Sequence, residues 1–300
     1  MKPATWTGIG RFKPERPVDS EGVLKRLART GWRYVELSME DLEDIDKRDN
    51  PEREFKALKR LCTELGISIP QMHGPVPDMA KFSPVVSNQD EYIKVIKRSL
   101  RWASILGVKW VVLHPGGAYW SDDERMKEKL KEGNLKFFSQ ILKYAESFKV
   151  GIAIENLTLY RKTKDYKCFG ATPSELLWLV SNLDSKWVGI CWDTGHANGE
   201  DLDQYQALKI IGKHLVATHI NDNDSFSDQH RLPFEGTINW EGVMQALRDI
   251  GYSGLFNLEV GGTTYCLRNN RMPVEMKEDK LRYILKLTEY LIKKEPLSWK

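Results

Sequence analysis

Residues 93–114, IKVIKRSLRWASILGVKWVVLH, contain the reading that decides the fold. Ile93, Ile96, Leu100, Ala103 and Leu106 recur at intervals of three and four, which lays one apolar stripe along a helix. Gly107 follows at once and offers the left-handed backbone position at which helices end. Trp110-Val111-Val112-Leu113 is then apolar without a break, the pattern of a parallel strand covered on both faces. His114 closes it, a polar side chain at the carboxyl end of a buried strand.

The same grammar repeats in both directions along the chain. Val23, Leu24, Leu27 and Ala28 precede Gly31; Leu58, Leu61 and Leu65 precede Gly66; Val243, Leu247 and Ile250 precede Gly251. Strand-length runs of aliphatic, β-branched and aromatic residues fall at 5–10, 33–37, 67–73, 110–114, 150–155, 187–193, 215–220 and 255–260. Thr172-Pro173-Ser174-Glu175 marks a helix start with a cap, an N1 proline and an early acid, and a last helix is expected near 278–294. Eight strand–helix units without a low-complexity linker predict an α/β fold, a single (β/α)8 TIM barrel over residues 1–300 as one domain. The rival is an open doubly wound sheet, but its first turn, Gly8-Ile9-Gly10-Arg11-Phe12-Lys13, lacks the G-x-G-x-x-G that holds a dinucleotide.

Composition narrows the function without naming it. With 41% apolar and 29% charged residues the chain can fill a core and solvate its exterior, and a net charge of +3 announces neither nucleic acid nor membrane as partner. Cys62, Cys168, Cys191 and Cys266 form no C-x-x-C pair, so neither a disulfide nor a zinc-knuckle framework is expected. No basic segment followed by an apolar run opens the chain, and no window approaches the ~18 apolar residues of a membrane span, which predicts a cytoplasmic protein.

In a barrel the carboxyl ends of all eight strands open on one face, so side chains distant in sequence meet there. Those ends carry Glu36, His73, His114, Glu155, Asp193, His219 and Glu259, each a metal ligand or acid/base group. A lone histidine at a strand end is more often a loop anchor than a ligand, and it is the convergence that favours ligation. Glu155 follows Ile152-Ala153-Ile154 and Glu259 follows Leu255-Phe256-Asn257-Leu258, positions where a carboxylate is costly unless a cation or partner is near. Asp193-Thr194-Gly195-His196 sets a carboxylate and an imidazole three residues apart across a tight turn, and Asp228-Gln229-His230 is an Asp-x-His pair able to coordinate from one extended stretch. His214 precedes its strand, at the opposite face, and reads as structural.

At these residues the sequence resembles the xylose isomerase-like barrels, the superfamily that joins sugar phosphate isomerases and epimerases with apurinic endonucleases of the endonuclease IV type. The resemblance spans nearly the whole chain. It rests on Val112-Leu113-His114-Pro115-Gly116-Gly117, Ile154-Glu155-Asn156, Asp193-Thr194-Gly195-His196-Ala197-Asn198, His219-Ile220-Asn221-Asp222-Asn223 and Asp228-x-His230 followed by Gly236-Thr237-Ile238-Asn239-Trp240. The ketose epimerase branch implies one divalent ion (Mn2+, Zn2+ or Mg2+, the first two favoured) on Glu155, Asp193, His219 and Glu259. It also implies proton exchange by the two glutamates, a substrate contact from His196, and an arginine at Arg231. The endonuclease branch implies three zinc ions, with ligand counterparts at His73, His114, Glu155, Asp193, His196, His219, Asp228, His230 and Glu259.

Loops and charge bear on the choice. Residues 40–49 hold six acids and two bases, a poor surface for a phosphate backbone, so nucleic acid is disfavoured as partner. Arg161, Lys162, Lys164, Lys167, Arg268 and Arg271 would suit a phosphate or carboxylate on a small substrate, and Trp6, Phe12, Trp120, Trp192 and Phe226 lie where they would wall a sugar pocket. The expectation is a metal-dependent sugar or sugar-phosphate isomerase or epimerase, with β-elimination as the nearest variant of the same proton abstraction. The alternatives are an apurinic endonuclease and a non-catalytic sugar-binding barrel. Subunit number is open, homo-oligomers included.

Overall fold

The computed structural model describes residues 1–12, 17–76, 89–159, 165–261, 265–268 and 271–293. Eight strands form one parallel sheet: β1 (Lys2–Trp6), β2 (Tyr34–Leu37), β3 (Ser68–His73), β4 (Trp110–Leu113), β6 (Gly151–Glu155), β8 (Val188–Asp193), β9 (Leu215–His219) and β10 (Leu255–Leu258). Two short strands, β5 (Ala118–Trp120) and β7 (Tyr166–Cys168), pair antiparallel beside it. The large sheet runs β10-β1-β2-β3-β4-β6-β8-β9 and curls until its two edges meet. There the ladder is reduced to one parallel bridge, Ile220 to Leu258. The amide of Ile220 donates to the carbonyl of Asn257 at 2.8 Å, and that of Glu259 to the carbonyl of Ile220 at 3.1 Å. Thr218 fills in with its side chain, donating to the Leu255 carbonyl at 2.7 Å and accepting from the Asn257 amide at 3.2 Å.

Helices separate the strands as the repeat predicts. Gly66 and Gly107 end the helices Pro51–Leu65 and Asp90–Leu106 with φ of 64° and 83°, the left-handed position that glycine fills without strain. Thr172 and Glu175 form a reciprocal capping box at the helix Pro173–Leu183. Alternation along each strand then assigns two faces. Val112, Ala153, Cys191 and Ala217 point inward and form a layer of small side chains, while Ile154, Ile190, Trp192 and Phe256 belong to the larger core beneath the helices. Each inward residue has the same parity as the group two positions on, so Gln71 precedes His73, Val112 precedes His114, Ala153 precedes Glu155, Cys191 precedes Asp193, Ala217 precedes His219 and Asn257 precedes Glu259.

Several boundaries differ from the sequence reading. The first strand is Lys2–Trp6 rather than 5–10, because Thr7–Gly10 turns into a 3-10 helix over which the Trp6 indole folds, leaving no room for a side chain at Gly8. The antiparallel pair β5 and β7 was not expected, and the last helix is Val274–Lys293. The acidic segment forms the helix Met39–Asp46, and most of its charge is matched. Asp41 is buried and accepts from Arg11, Ser38, Ser20 and Thr7; Asp44 pairs with Arg48 and Asp46 with Arg98 at 3.3 and 3.1 Å. These acids build the loop end of the barrel, so their repulsion of a phosphate backbone is weaker than their number suggests. Among the described residues no helix is long and apolar enough to cross a membrane.

Candidate metal and active site

The strand ends meet in an open cavity of about 200 Å³, room for a small molecule. Its walls include Trp6, Met39 and Val76 as apolar surface, with Glu36, His73, His114, Glu155, His196, Asp228, His230 and Glu259 as the polar part. At its floor, one ligand atom each from Glu155, Asp193, His219 and Glu259 lies within 4.8 Å of every other. His73, His114 and Glu155 form a second such group, sharing Glu155 with the first.

The backbone explains how these side chains are held. Asp193 ends β8 and caps the helix Thr194–Gly199, its Oδ1 accepting the His196 amide at 2.6 Å and its Oδ2 the Asn221 amide group at 2.8 Å. Asn156, next to Glu155, clamps β8 by accepting from the Asp193 amide at 2.6 Å and donating to its carbonyl at 2.9 Å. Three imidazoles put Nδ1 against backbone carbonyls: His73 on Gly74 at 2.8 Å, His196 on Asn156 at 2.8 Å and His230 on Glu259 at 2.7 Å. Each such bond selects the Nδ1–H tautomer in the neutral ring and turns Nε2 the other way. His230 does so from a left-handed φ of 45°, a strained position for a non-glycine residue and common where a side chain must be aimed.

Burial and neighbours set the charges. Burial pushes the Glu155 carboxyl up, but His219 at 2.9 Å and His114 at 3.0 Å prevail and hold it well below the usual carboxylate range. Glu259 goes the other way: burial outweighs His219 and His230 and raises it to about 8. His219 is raised despite its burial by Glu155, Glu259 and Glu36; Cys191 adds to this only as a thiolate, a form its own burial disfavours. His230 rises to about 10, against burial, through Asp228 at 3.1 Å and Glu259. Glu259, Asp193 and the His219 imidazole are thus pushed towards their protonated forms beside an ionised Glu155, and a cation at that point would relieve the crowding. Mixed oxygen and nitrogen donors of this kind fit a divalent ion such as Mn2+ or Zn2+.

The structure brings Glu155, Asp193, His219, Glu259, His196, His73, His114, Asp228 and His230 together around the cavity. Trp120, Trp192 and Arg231 are placed outside its walls. Trp192 has outward parity and is buried, its indole donating to Gln204 at 3.2 Å; Trp120 is half exposed on β5, tilted against Tyr166; Arg231 donates to the Glu235 carbonyl at 3.0 Å. Phe12 is buried beneath Arg26 and Phe226 is exposed, whereas Trp6 does line the cavity. Arg161, Lys162 and Lys164 lie outside the described residues, and Lys167 faces Glu200 at 3.6 Å. The sequence reading missed Gln71 and Asn257, buried polar side chains inside the barrel that both donate to Glu36. Their signal was a polar residue at an inward position of an otherwise apolar strand.

With fold and site in place, the chain belongs to the xylose isomerase-like TIM barrel family, whose model matches residues 24–286. An uncharacterized protein of Methanocaldococcus jannaschii, MJ1311, is 30% identical over 76% of this chain and 74% of its own. The L-ribulose-5-phosphate 3-epimerase UlaE of Escherichia coli is 23% identical over 80% of this chain and 81% of its own. Among solved structures, a D-tagatose 3-epimerase-like protein superposes with a TM-score of 0.74 at 23% identity, covering 97% of this chain and 98% of that one. The IOLI protein, solved with a zinc atom, superposes with a TM-score of 0.73 at 19% identity over 100% of both chains. The fold is thus that of the sugar epimerases.

Proposed function

We propose that this chain is a divalent-metal-dependent epimerase or isomerase of a keto sugar or its phosphate. The observation that carries this is the set Glu155, Asp193, His219 and Glu259, four ligand atoms within 4.8 Å of one another at the floor of the cavity. A divalent ion held there supplies Lewis acidity, polarising a substrate carbonyl and the hydroxyl beside it. The chain's own groups move the proton. Glu155 at the end of β6 and Glu259 just after β10 reach the floor from different strands, and as carboxylates beside the ion they suit the removal and return of a proton at one carbon. His196 commits Nδ1 to the Asn156 carbonyl, so Nε2 is the atom that donates to a substrate oxygen; burial opposes its protonation, but Asp193 and Glu155 favour it. Trp6, Met39 and Val76 offer the apolar wall against which the carbon face of a sugar packs.

The names of UlaE and of the D-tagatose 3-epimerase-like structure support the choice of ketoses. The test is solvent deuterium exchange into D-tagatose, D-psicose and L-ribulose 5-phosphate by protein of measured metal content. Glu155→Gln and Glu259→Gln are each expected to lower exchange by about 10² to 10⁴-fold. Wild-type incorporation by both variants overturns the assignment, and nicking of an abasic duplex by the unmodified protein would transfer it to the endonuclease branch.

A further inference from the structure

Beside the layer of Val112, Ala153, Cys191 and Ala217, the part of the interior that faces β10, β2 and β3 is polar, although barrel interiors are normally filled by branched apolar side chains. Glu36 on β2, Gln71 on β3 and Asn257 on β10 are all inward and all buried, at 1%, 2% and 0% exposure. Burying a carboxylate in such a place costs several kcal/mol unless donors surround it. Glu36 has three, and they divide its two oxygens. Oε2 accepts from the side-chain amides of Gln71, at 3.1 Å, and Asn257. Oε1 is thereby aimed at Nε2 of His219, 3.1 Å away.

We infer that Glu36 is the positioning residue of the candidate metal centre, fixing the tautomer and orientation of His219 through Nε2 so that Nδ1 is presented to the ion. The inference rests on the metal part of the proposed function. Nδ1 lies 2.9 Å from Glu155 Oε1 and 3.3 Å from Glu259 Oε2, so it is the nitrogen that faces the other ligands. His219 is fully buried and reaches the cavity floor from β9, and its ring stacks on that of His73 at 5.5 Å and 13°. Stacking fixes the ring plane but not which nitrogen carries hydrogen. Glu36 decides that, because a carboxylate accepts and never donates, so Nε2 keeps its proton and the Nδ1 lone pair is left for the metal. Gln71 and Asn257 act one step further out, holding the carboxylate that holds the imidazole.

Metal affinity and nitrogen chemistry test this apart from turnover. In Glu36→Gln the new amide confronts the amide donors of Gln71 and Asn257, and its grip on Nε2 slackens. Zinc affinity, read by competition with a chromophoric chelator, is expected to fall about 10 to 100-fold. His219→Ala serves as the reference for loss of a ligand, and melting of the metal-free proteins checks that each variant folds. Independently of any variant, long-range proton–nitrogen correlation on zinc-loaded, histidine-labelled wild type should show His219 protonated at Nε2 and metal-bound at Nδ1. Zinc affinity in Glu36→Gln within twofold of wild type, or a His219 ring protonated at Nδ1, overturns the inference while leaving the metal site standing. Wild type that takes up no zinc, cobalt or manganese overturns the metal reading and this inference with it.

Discussion

Protons held by individual side chains give the metal-free protein a pH dependence whose sign can be worked out. His230 ordinarily titrates near 6.5 and here near 10, so its contribution is full below 6.5 and is lost as pH climbs to 10. Glu259, lifted from 4.5 to about 8, acts in the same direction: the unfolded carboxyl ionises first, and folding is penalised increasingly between those values. His73, lowered by burial and by His114, runs oppositely below 6.5. The melting temperature in the presence of a chelator should therefore fall between pH 6.5 and pH 10, whereas the loaded protein, with Glu259 already stripped of its proton by the ion, should lose the Glu259 share of that fall and decline less steeply up to about pH 8. Equal slopes with and without metal would contradict this. Glu259 and His73 are legible in the sequence because each closes a strand-length run, where an acid or imidazole has no structural reason to be, and His230 because it stands two residues after Asp228. Glu36 is visible in the same way, but its work is not. Its partners Gln71 and Asn257 come from strands separated by most of the chain, and only the registered sheet brings them to one carboxylate.

At the level of elements, the seam between β9 and β10 adds one side chain to its two backbone bonds. Thr218 bridges both strands, so Thr218→Val, equal in shape, leaves the buried Asn257 amide without its partner, while the Leu255 carbonyl keeps the Tyr252 hydroxyl at 2.9 Å. An orphaned buried amide costs about 1–3 kcal/mol, and urea unfolding should show a loss of that size. A loss under ~0.5 kcal/mol would mean the seam closes by other means. Several of the parallel strands can be read because the helix stripe before them runs out at a glycine, as at Gly31, Gly66, Gly107 and Gly251. The first is misplaced because Ile9 between Gly8 and Gly10 imitates alternation, while the indole of Trp6 folds over the turn. Strands as short as β5 and β7 carry no period of their own, and the helix Met39–Asp46 hides under its charge, since Ser38 as cap and Asp41 as a buried acceptor look like loop residues.

For the whole molecule, the barrel closes by a single bridge where every other pair of neighbours shares a ladder. The candidate ligands straddle that junction, His219 ending β9 and Glu259 following β10. An ion coordinated by both would act as a clasp, joining the two edges of the sheet where the cylinder closes. Backbone amides beside the junction, those of Ile220 and Glu259, should then exchange with deuterated solvent more slowly once zinc is added, while amides of β3 and β4 on the far wall keep their rates. In such a protein the ion that prepares the substrate for reaction also determines how tightly the cylinder is shut.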